Sequence, residues 1–316
     1  MVPSAVDAWL DRWAETAGGR AVLVNLSENH TFRIDGPGGR FFLRVHRPGY
    51  QSAAAIESEL AWVTALRAET GLPVPLPLRG RDGHLVQQLS MGGLAPRYAV
   101  LFAAVPGREP RPADDLAALF ETLGRYAATA HRHAEIFRPP AGFVRPRWNA
   151  GAILDAGGPW GDWRSAPHVE GRVGGVLAEL DRALRAALAA YGEKPDRFGL
   201  IHADMRLANL LVEGERVTLI DFDDCGFGWF MYDFAAAVSF HEDDPQAGEW
   251  RTRWLAGYEA VRPLVPADRA VLEAMVLLRR MALLAWIGSH HETELARAHA
   301  DDFAARTARL AVKYLG

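Results

Sequence analysis

Three polar residues, His202, Asp204 and Asn209, lead into a short apolar run, and Asp221 closes a second one. The runs, 209–212 and 217–220, flank the polar turn 213–216, which is the pattern of a tight β-hairpin. A hairpin folds the chain back on itself, so Asp204, Asn209 and Asp221 are expected to converge on one pocket. Oxygen-bearing side chains in that grouping suit phosphoryl transfer, which needs positioning and charge neutralisation more than covalent help. Asn209 and Asp221 offer hard oxygen ligands for Mg²⁺, with water and nucleotide phosphates completing its shell. Asp204 is then placed to orient an attacking hydroxyl or accept its proton. His202 is read as a brace for the loop.

The spacing matches the kinase catalytic loop, His-x-Asp-x-x-x-x-Asn, followed by an Asp-Phe-x element. Here the residue between His202 and Asp204 is Ala203, where protein kinases carry Arg, and Asp223 stands where they carry Gly. A lone His-x-Asp pair also serves metal-dependent hydrolases; the Asn and second Asp at fixed offsets favour the kinase pattern. With Tyr232, Asp233, Phe234 and Ala235 downstream, the set resembles the aminoglycoside phosphotransferase, homoserine kinase and choline kinase superfamily. These are small-molecule kinases with a protein-kinase-like fold, and bacterial stress-response Ser/Thr kinases belong with them. The resemblance implies ATP as co-substrate, Mg²⁺ at Asn209 and Asp221, and Asp204 as the catalytic residue. It also implies that Asp233 holds the catalytic turn by hydrogen bonds.

The elements that must position these groups follow from periodicity. Apolar residues Val6, Trp9, Leu10 and Trp13 at helical spacing predict an amphipathic helix over 4–16, capped by Ser4. Strands are predicted at 21–26, 31–35 and 40–46, joined by turns at 27–30 and 36–39. In the resembling kinases the first turn covers the nucleotide phosphates, usually through glycines. Turn 27–30 has none. Ser27 and Asn29 are its candidate donors, and an ordinary hairpin turn is the alternative. Arg44 faces away from Leu43 and Val45 and takes the place of the strand Lys that grips the α- and β-phosphates. A helix over 53–69 carries Glu59, the candidate partner of Arg44; a solvated surface charge is the alternative for it.

A proline-stiffened link follows at 71–77, then strands at 84–88 and 97–102. The stretch 103–105, before Pro106 and Gly107, reads as the hinge between lobes. The resemblance implies adenine recognition there by backbone atoms of Ala103 and Val105. Helices are predicted at 113–133, 173–191, 230–240, 245–261, 267–289 and 292–314. Between the first two, Trp160, Asp162 and Trp163 form either a substrate wall for a cationic amine or a loop anchored by buried rings. Asp223 and Asp224 add either acid to the same pocket or caps and turn residues. The expected architecture is α+β and bilobal, with a small antiparallel-sheet N-lobe at 1–103 and a larger, mostly helical C-lobe at 104–316.

Bulk composition sets the outer limits. The net charge of −4 argues against a nucleic-acid partner bound through charge. The one cysteine, Cys225, excludes an intrachain disulfide and fits a reducing, cytoplasmic setting; it reads as a small packing residue. The longest apolar run, 270–287, is broken by Glu273, Arg279 and Arg280, so it reads as a buried helix and not a membrane span. The expected activity is ATP- and Mg²⁺-dependent phosphorylation of a hydroxyl on a small, amine-bearing molecule. Alternatives are a bacterial Ser/Thr protein kinase and a nucleotide-binding pseudokinase.

Overall fold

The computed structural model describes residues 6–26, 29–90, 96–111 and 113–316. The chain is α+β and divides into two compact units. The sheet-containing unit takes in residues 1–108, and also 137–145 and 211–223. A cut between 103 and 104 would give both of those later segments to the other half. The second unit is mainly helical and holds 109–136, 146–210 and 224–316. Among the described residues no helix is long and apolar enough to cross a membrane.

In the sheet unit, β1 (Arg20–Leu26), β2 (Asn29–Gly36) and β3 (Gly39–His46) form an antiparallel meander. Two short strands, β4 (Pro77–Leu78) and β5 (Gln87–Leu89), both pair with β6 (Arg97–Ala103), which lies against β3. Alternation along β3 sends Leu43 and Val45 into an apolar cluster with Phe32, Ile34, Ala99 and Leu101, and sends Arg44 to the other face. The Ala53–Thr70 helix is capped by Ser52, whose hydroxyl accepts from Ala55 N at 3.1 Å, and it ends at Gly71 with φ +71°.

Several expected elements differ. Residues 6–16 do not form a continuous helix; only Leu10–Arg12 is a 3₁₀ turn. The apolar residues there are buried as expected. Their chain is held by three-residue backbone turns, such as Trp9 N to Val6 O (2.8 Å) and Arg12 N to Trp9 O (3.0 Å), and by side-chain bonds from Ala21 N to Asp7 Oδ1 (2.7 Å) and from Thr16 Oγ1 to Leu10 O (2.7 Å). The cap at Ser4 lies outside the described residues. Asn29 and His30 belong to β2 and not to a turn. The strand expected at 84–88 starts later because Asp82 Oδ1 accepts from His84 N and Gln87 Nε2, which closes a turn over that stretch.

In the helical unit, Leu116–Ile136 packs on Ala247–Glu259 at close range. A Cβ on Gly124 would lie 2.0 Å from Trp254 O, and one on Gly257 would lie 1.9 Å from Glu121 O. Phe198–Ile201 pairs antiparallel with Gly226–Trp229, which pairs parallel with Arg147–Trp148. The helix expected at 267–289 is two, Pro266–Ala270 and Leu272–Ser289, and that expected at 292–314 is also two, Glu294–His299 and Phe303–Leu315. Leu272–Ser289 is buried along most of its length, Arg279 and Arg280 included. Arg280 is satisfied by Glu242, by Thr307 Oγ1 at 3.0 Å and by Phe303 O.

Candidate active site

The catalytic-loop residues follow the Phe198–Ile201 strand in the helical unit. Ala203 sits at φ +68°, a left-handed conformation that turns the chain sharply for a residue with a Cβ. Asp233 stabilises that turn. Its carboxylate accepts from His202 N at 3.1 Å and from Ala203 N at 2.7 Å. The same carboxylate meets His131 Nε2 at 2.9 Å, and His131 Nδ1 meets the Tyr258 hydroxyl at 2.9 Å. Burial keeps the His131 imidazole below its ordinary range, with Asp233 pulling the other way. His202 is fully buried, and its Nδ1 accepts from Asp204 N at 3.2 Å, so it braces the loop.

Asp204 is buried among donors. Oδ2 accepts from Asn209 Nδ2 at 2.6 Å and from Arg206 Nε at 3.2 Å, and Oδ1 accepts from Arg279 Nη2. Burial works to raise the Asp204 carboxyl, but Arg206, Arg279 and His202 outweigh it and hold it below the usual carboxylate range. Asn209 gives Nδ2 to Asp204 O as well, at 2.8 Å, which leaves its Oδ1 as the acceptor face of the amide. Arg279 comes from the Leu272–Ser289 helix, 75 residues along the chain from Asp204.

Asp221 belongs to the sheet unit, where the hairpin Leu210–Glu213 and Arg216–Leu219 ends. It has φ +63° and a side chain 47% exposed. The next two residues point elsewhere. Phe222 is buried edge-on against Trp62, with centroids 5.9 Å apart. Asp223 is buried too, and its oxygens accept from Asn29 Nδ2 (2.9 Å) and Gln51 Nε2 (3.2 Å). Burial works to raise the Asp223 carboxyl; Arg44, His46, the Asn29 hydrogen bond and Arg145 more than reverse it. Asp223 is therefore a brace inside the sheet unit and not an acid facing an acceptor.

Arg44 is buried beside it. Nη2 reaches both Glu59 oxygens, at 2.8 and 2.7 Å, while Nη1 stands 3.9 Å from Asp221 and from Asp223. Glu59 is buried, so it is a partner of Arg44 and not a surface charge. Burial pushes the Glu59 carboxyl up and Arg44 pulls it back. Around this cluster Arg44 Nε, Asn29 Oδ1 and both ring nitrogens of His46 are buried with no hydrogen-bond partner. Buried polar atoms of this kind are costly unless something completes them. At the candidate hinge, Ala103 N donates to Leu76 O and Ala104 N to Arg40 O. Ser27 lies outside the described residues.

Of the aromatic stretch, Trp163 is buried, donates Nε1 to Asp181 Oδ2 at 3.3 Å, and has Arg164 over its ring. Asp162 accepts from Arg164 N and Nη1. These two anchor and cap a loop. Trp160 differs: its ring lies 5.1 Å from the Arg279 guanidinium and 5.0 Å from the Trp148 ring. Trp148 Nε1 in turn donates to Asp224 O at 2.8 Å. Periodicity missed Arg279, because a charge inside an apolar helix looks like an interruption of it, and missed His131, which looks like a packing residue.

A model of the phosphotransferase enzyme family matches residues 22–274. The chain belongs to that family. Phosphotransferase relatives include the amicoumacin kinase of Bacillus subtilis (strain 168), 24% identical over 268 residues, spanning 81% of this chain and 76% of the relative. The homoserine kinase of Gluconacetobacter diazotrophicus is 30% identical over 258 residues, spanning 78% of this chain and 74% of its own. Among solved structures, a microcompartment-associated aminopropanol kinase superposes with a TM-score of 0.90 at 41% identity, covering 99% of this chain and 97% of that one. Amicoumacin kinase hAmiN, in complex with AMP-PNP and Ca²⁺, superposes with a TM-score of 0.78 at 20% identity, covering 98% and 92%, and shows the shared fold. The fold is protein-kinase-like, and this phosphotransferase is a small-molecule kinase that acts on an alcohol group.

Proposed function

We propose that this phosphotransferase moves the γ-phosphoryl group of ATP, with Mg²⁺, to the hydroxyl of a small amine-bearing alcohol of the aminopropanol type. The observation that carries this reading is the 41% identity with an aminopropanol kinase along 99% of the chain. The acceptor oxygen bonds to the γ-phosphorus while the bond from phosphorus to the bridging oxygen breaks. ADP leaves with that electron pair, and the hydroxyl proton departs by way of Asp204. A carboxylate held ionised by two guanidinium groups is a weak base, so Asp204 acts chiefly by orienting the hydroxyl.

The groups assigned to the divalent cation are oxygen donors. Among the described residues no three His, Cys, Asp or Glu side chains gather as a metal cage. One carboxylate, Asp221, and one amide oxygen, Asn209 Oδ1, suit an ion that keeps waters and nucleotide phosphates in its shell. When bound, that ion neutralises phosphate charge. Arg44, oriented by Glu59, grips the phosphates, whose oxygens would accept from the unpaired Arg44 Nε and from the one N–H of the His46 ring. Asn29 shares its remaining amide N–H. With Ala103 N and Ala104 N already bonded, adenine falls to carbonyls of that stretch and to Val105. On the acceptor side, Asp224 is the carboxylate assigned to the amine; the Trp160 ring is already taken by the Arg279 guanidinium.

Incubation with ATP, Mg²⁺ and a panel of aminopropanol, ethanolamine, homoserine and amine-free propanol tests the reading by ³¹P NMR. A new phosphate ester on an amino alcohol, with stoichiometric ADP, is expected. Ester formed equally on propanol removes the amine from the account, and label transferred to protein in a cell extract supports a protein-kinase role instead.

A further inference from the structure

Arg279 is 2% exposed, and each of the three nitrogens of its guanidinium donates one hydrogen bond. Nε donates to Ser239 Oγ at 3.0 Å, Nη1 to Ala203 O at 3.2 Å, and Nη2 to Asp204 Oδ1. The rings of Trp160 and Tyr232 lie 5.1 and 5.9 Å from its central carbon. A planar fork bonded through all three nitrogens and flanked by two rings cannot swing, so the direction of its third arm is set. That arm ends on the oxygen of Asp204 that neither Asn209 nor Arg206 touches.

A carboxylate has about four lone-pair positions. Asn209 and Arg206 take both on Oδ2, and Arg279 takes one on Oδ1. Among the hydrogen bonds of the described residues, one acceptor direction therefore remains on Asp204, on Oδ1. We propose that Arg279 is a positioning residue of the transfer. By filling one side of Oδ1 it leaves a single lone pair for the acceptor hydroxyl and so sets the line along which that oxygen approaches phosphorus. This rests on the role given above to Asp204. It assigns to a helix 75 residues distant a task that nothing in the catalytic-loop motif carries. Misplacement of a reacting group by about 1 Å can cost 10²-fold in rate.

The test compares Arg279→Gln, Arg279→Lys and Ser239→Ala in the full chain, using aminopropanol with saturating Mg²⁺ and ATP. Arg279→Gln should lower kcat about 10²-fold while the KM for ATP stays within about twofold. Lys keeps the charge but cannot hold Ser239, Ala203 and Asp204 at once, so it should recover part of the loss. Ser239→Ala, the mildest change, should cost several-fold in kcat. Combined with Asp204→Asn, the Arg279→Gln change should add nothing further, because both act through one carboxylate. Full kcat in Arg279→Gln, or losses that multiply with Asp204→Asn, would overturn the proposal. If Arg279→Gln does not fold, the Lys and Ala variants decide it by the same criteria. If the wild-type protein phosphorylates no amino alcohol, the acceptor reading fails. Mg²⁺-dependent hydrolysis of ATP, where water takes the place of the hydroxyl, then gives the same comparison of kcat.

Discussion

Asp221, Phe222 and Asp223 stand side by side in the chain and do three different things. The left-handed backbone at Asp221 turns its carboxylate outward, Phe222 enters the apolar interior against Trp62, and Asp223 is bonded to Asn29 and Gln51. Neighbours in sequence cannot be assigned one role from their type alone, which is why an acceptor-facing pair at 223 and 224 was legible as composition but not as placement. His46, 3.9 Å from Asp223, carries a consequence for stability. Burial first, then Arg44 and Arg145, lower its imidazole to about 3, with Asp223 opposing. A folded-state value below the unfolded one means the unfolded chain takes up the proton first. Stability is then complete above about pH 6.5 and falls as pH drops from there towards 3. Between pH 7 and pH 5 the loss from His46 should be about 2 kcal/mol. Urea unfolding at both pH values should show His46→Phe losing less than wild type by that amount; an equal loss would place the acid sensitivity elsewhere.

At the scale of elements, much of the sheet unit was legible. Alternation in β3 placed Arg44 opposite Leu43 and Val45, and the family resemblance pointed to Glu59 on the next helix as its partner. The alternation is a local pattern with short reach. The turn at 202–204 was legible as a fixed spacing ahead of a hairpin, and the family resemblance, not that spacing, pointed to Asp233 as its support. What periodicity cannot see is a partner set by tertiary packing: Arg279 reaching Asp204, or His131 reaching Asp233. It also cannot see that 6–16 would break into short three-residue turns with side-chain bonds in place of a continuous helix. The approach of the Leu116–Ile136 and Ala247–Glu259 helices is another such case, because it rests on missing side chains. Gly257→Ala would push a methyl to within 1.9 Å of Glu121 O, which a backbone carbonyl cannot yield to without moving its helix. We expect a loss of about 3 kcal/mol or more. Gly248→Ala in the same helix meets nothing within 4 Å and should be neutral or stabilising by up to about 1 kcal/mol. Thermal unfolding of the two variants checks the contrast, and equal melting temperatures would contradict it.

Across the whole molecule, each unit has its own buried polar cluster: Arg44, Glu59 and Asp223 in the sheet unit, and Asp204, Arg279, Asp233 and His131 in the helical one. The proposed division of labour is that the first holds nucleotide and the second orients acceptor. Asp221 contributes little to packing, with its side chain 47% exposed. Asp221→Ala should therefore fold normally and lose the part of nucleotide affinity that depends on Mg²⁺, about tenfold or more. Calorimetric titration of AMP-PNP with and without Mg²⁺ reads this directly, and a metal dependence unchanged from wild type would remove Asp221 from the metal's shell. The most direct test of the whole account is ADP release from ATP and Mg²⁺ in the presence of aminopropanol, wild type against Asp204→Asn. We expect turnover that depends on the amino alcohol in the wild type and falls by about 10²–10⁴ in a folded Asp204→Asn protein. Equal turnover in the two proteins would contradict it.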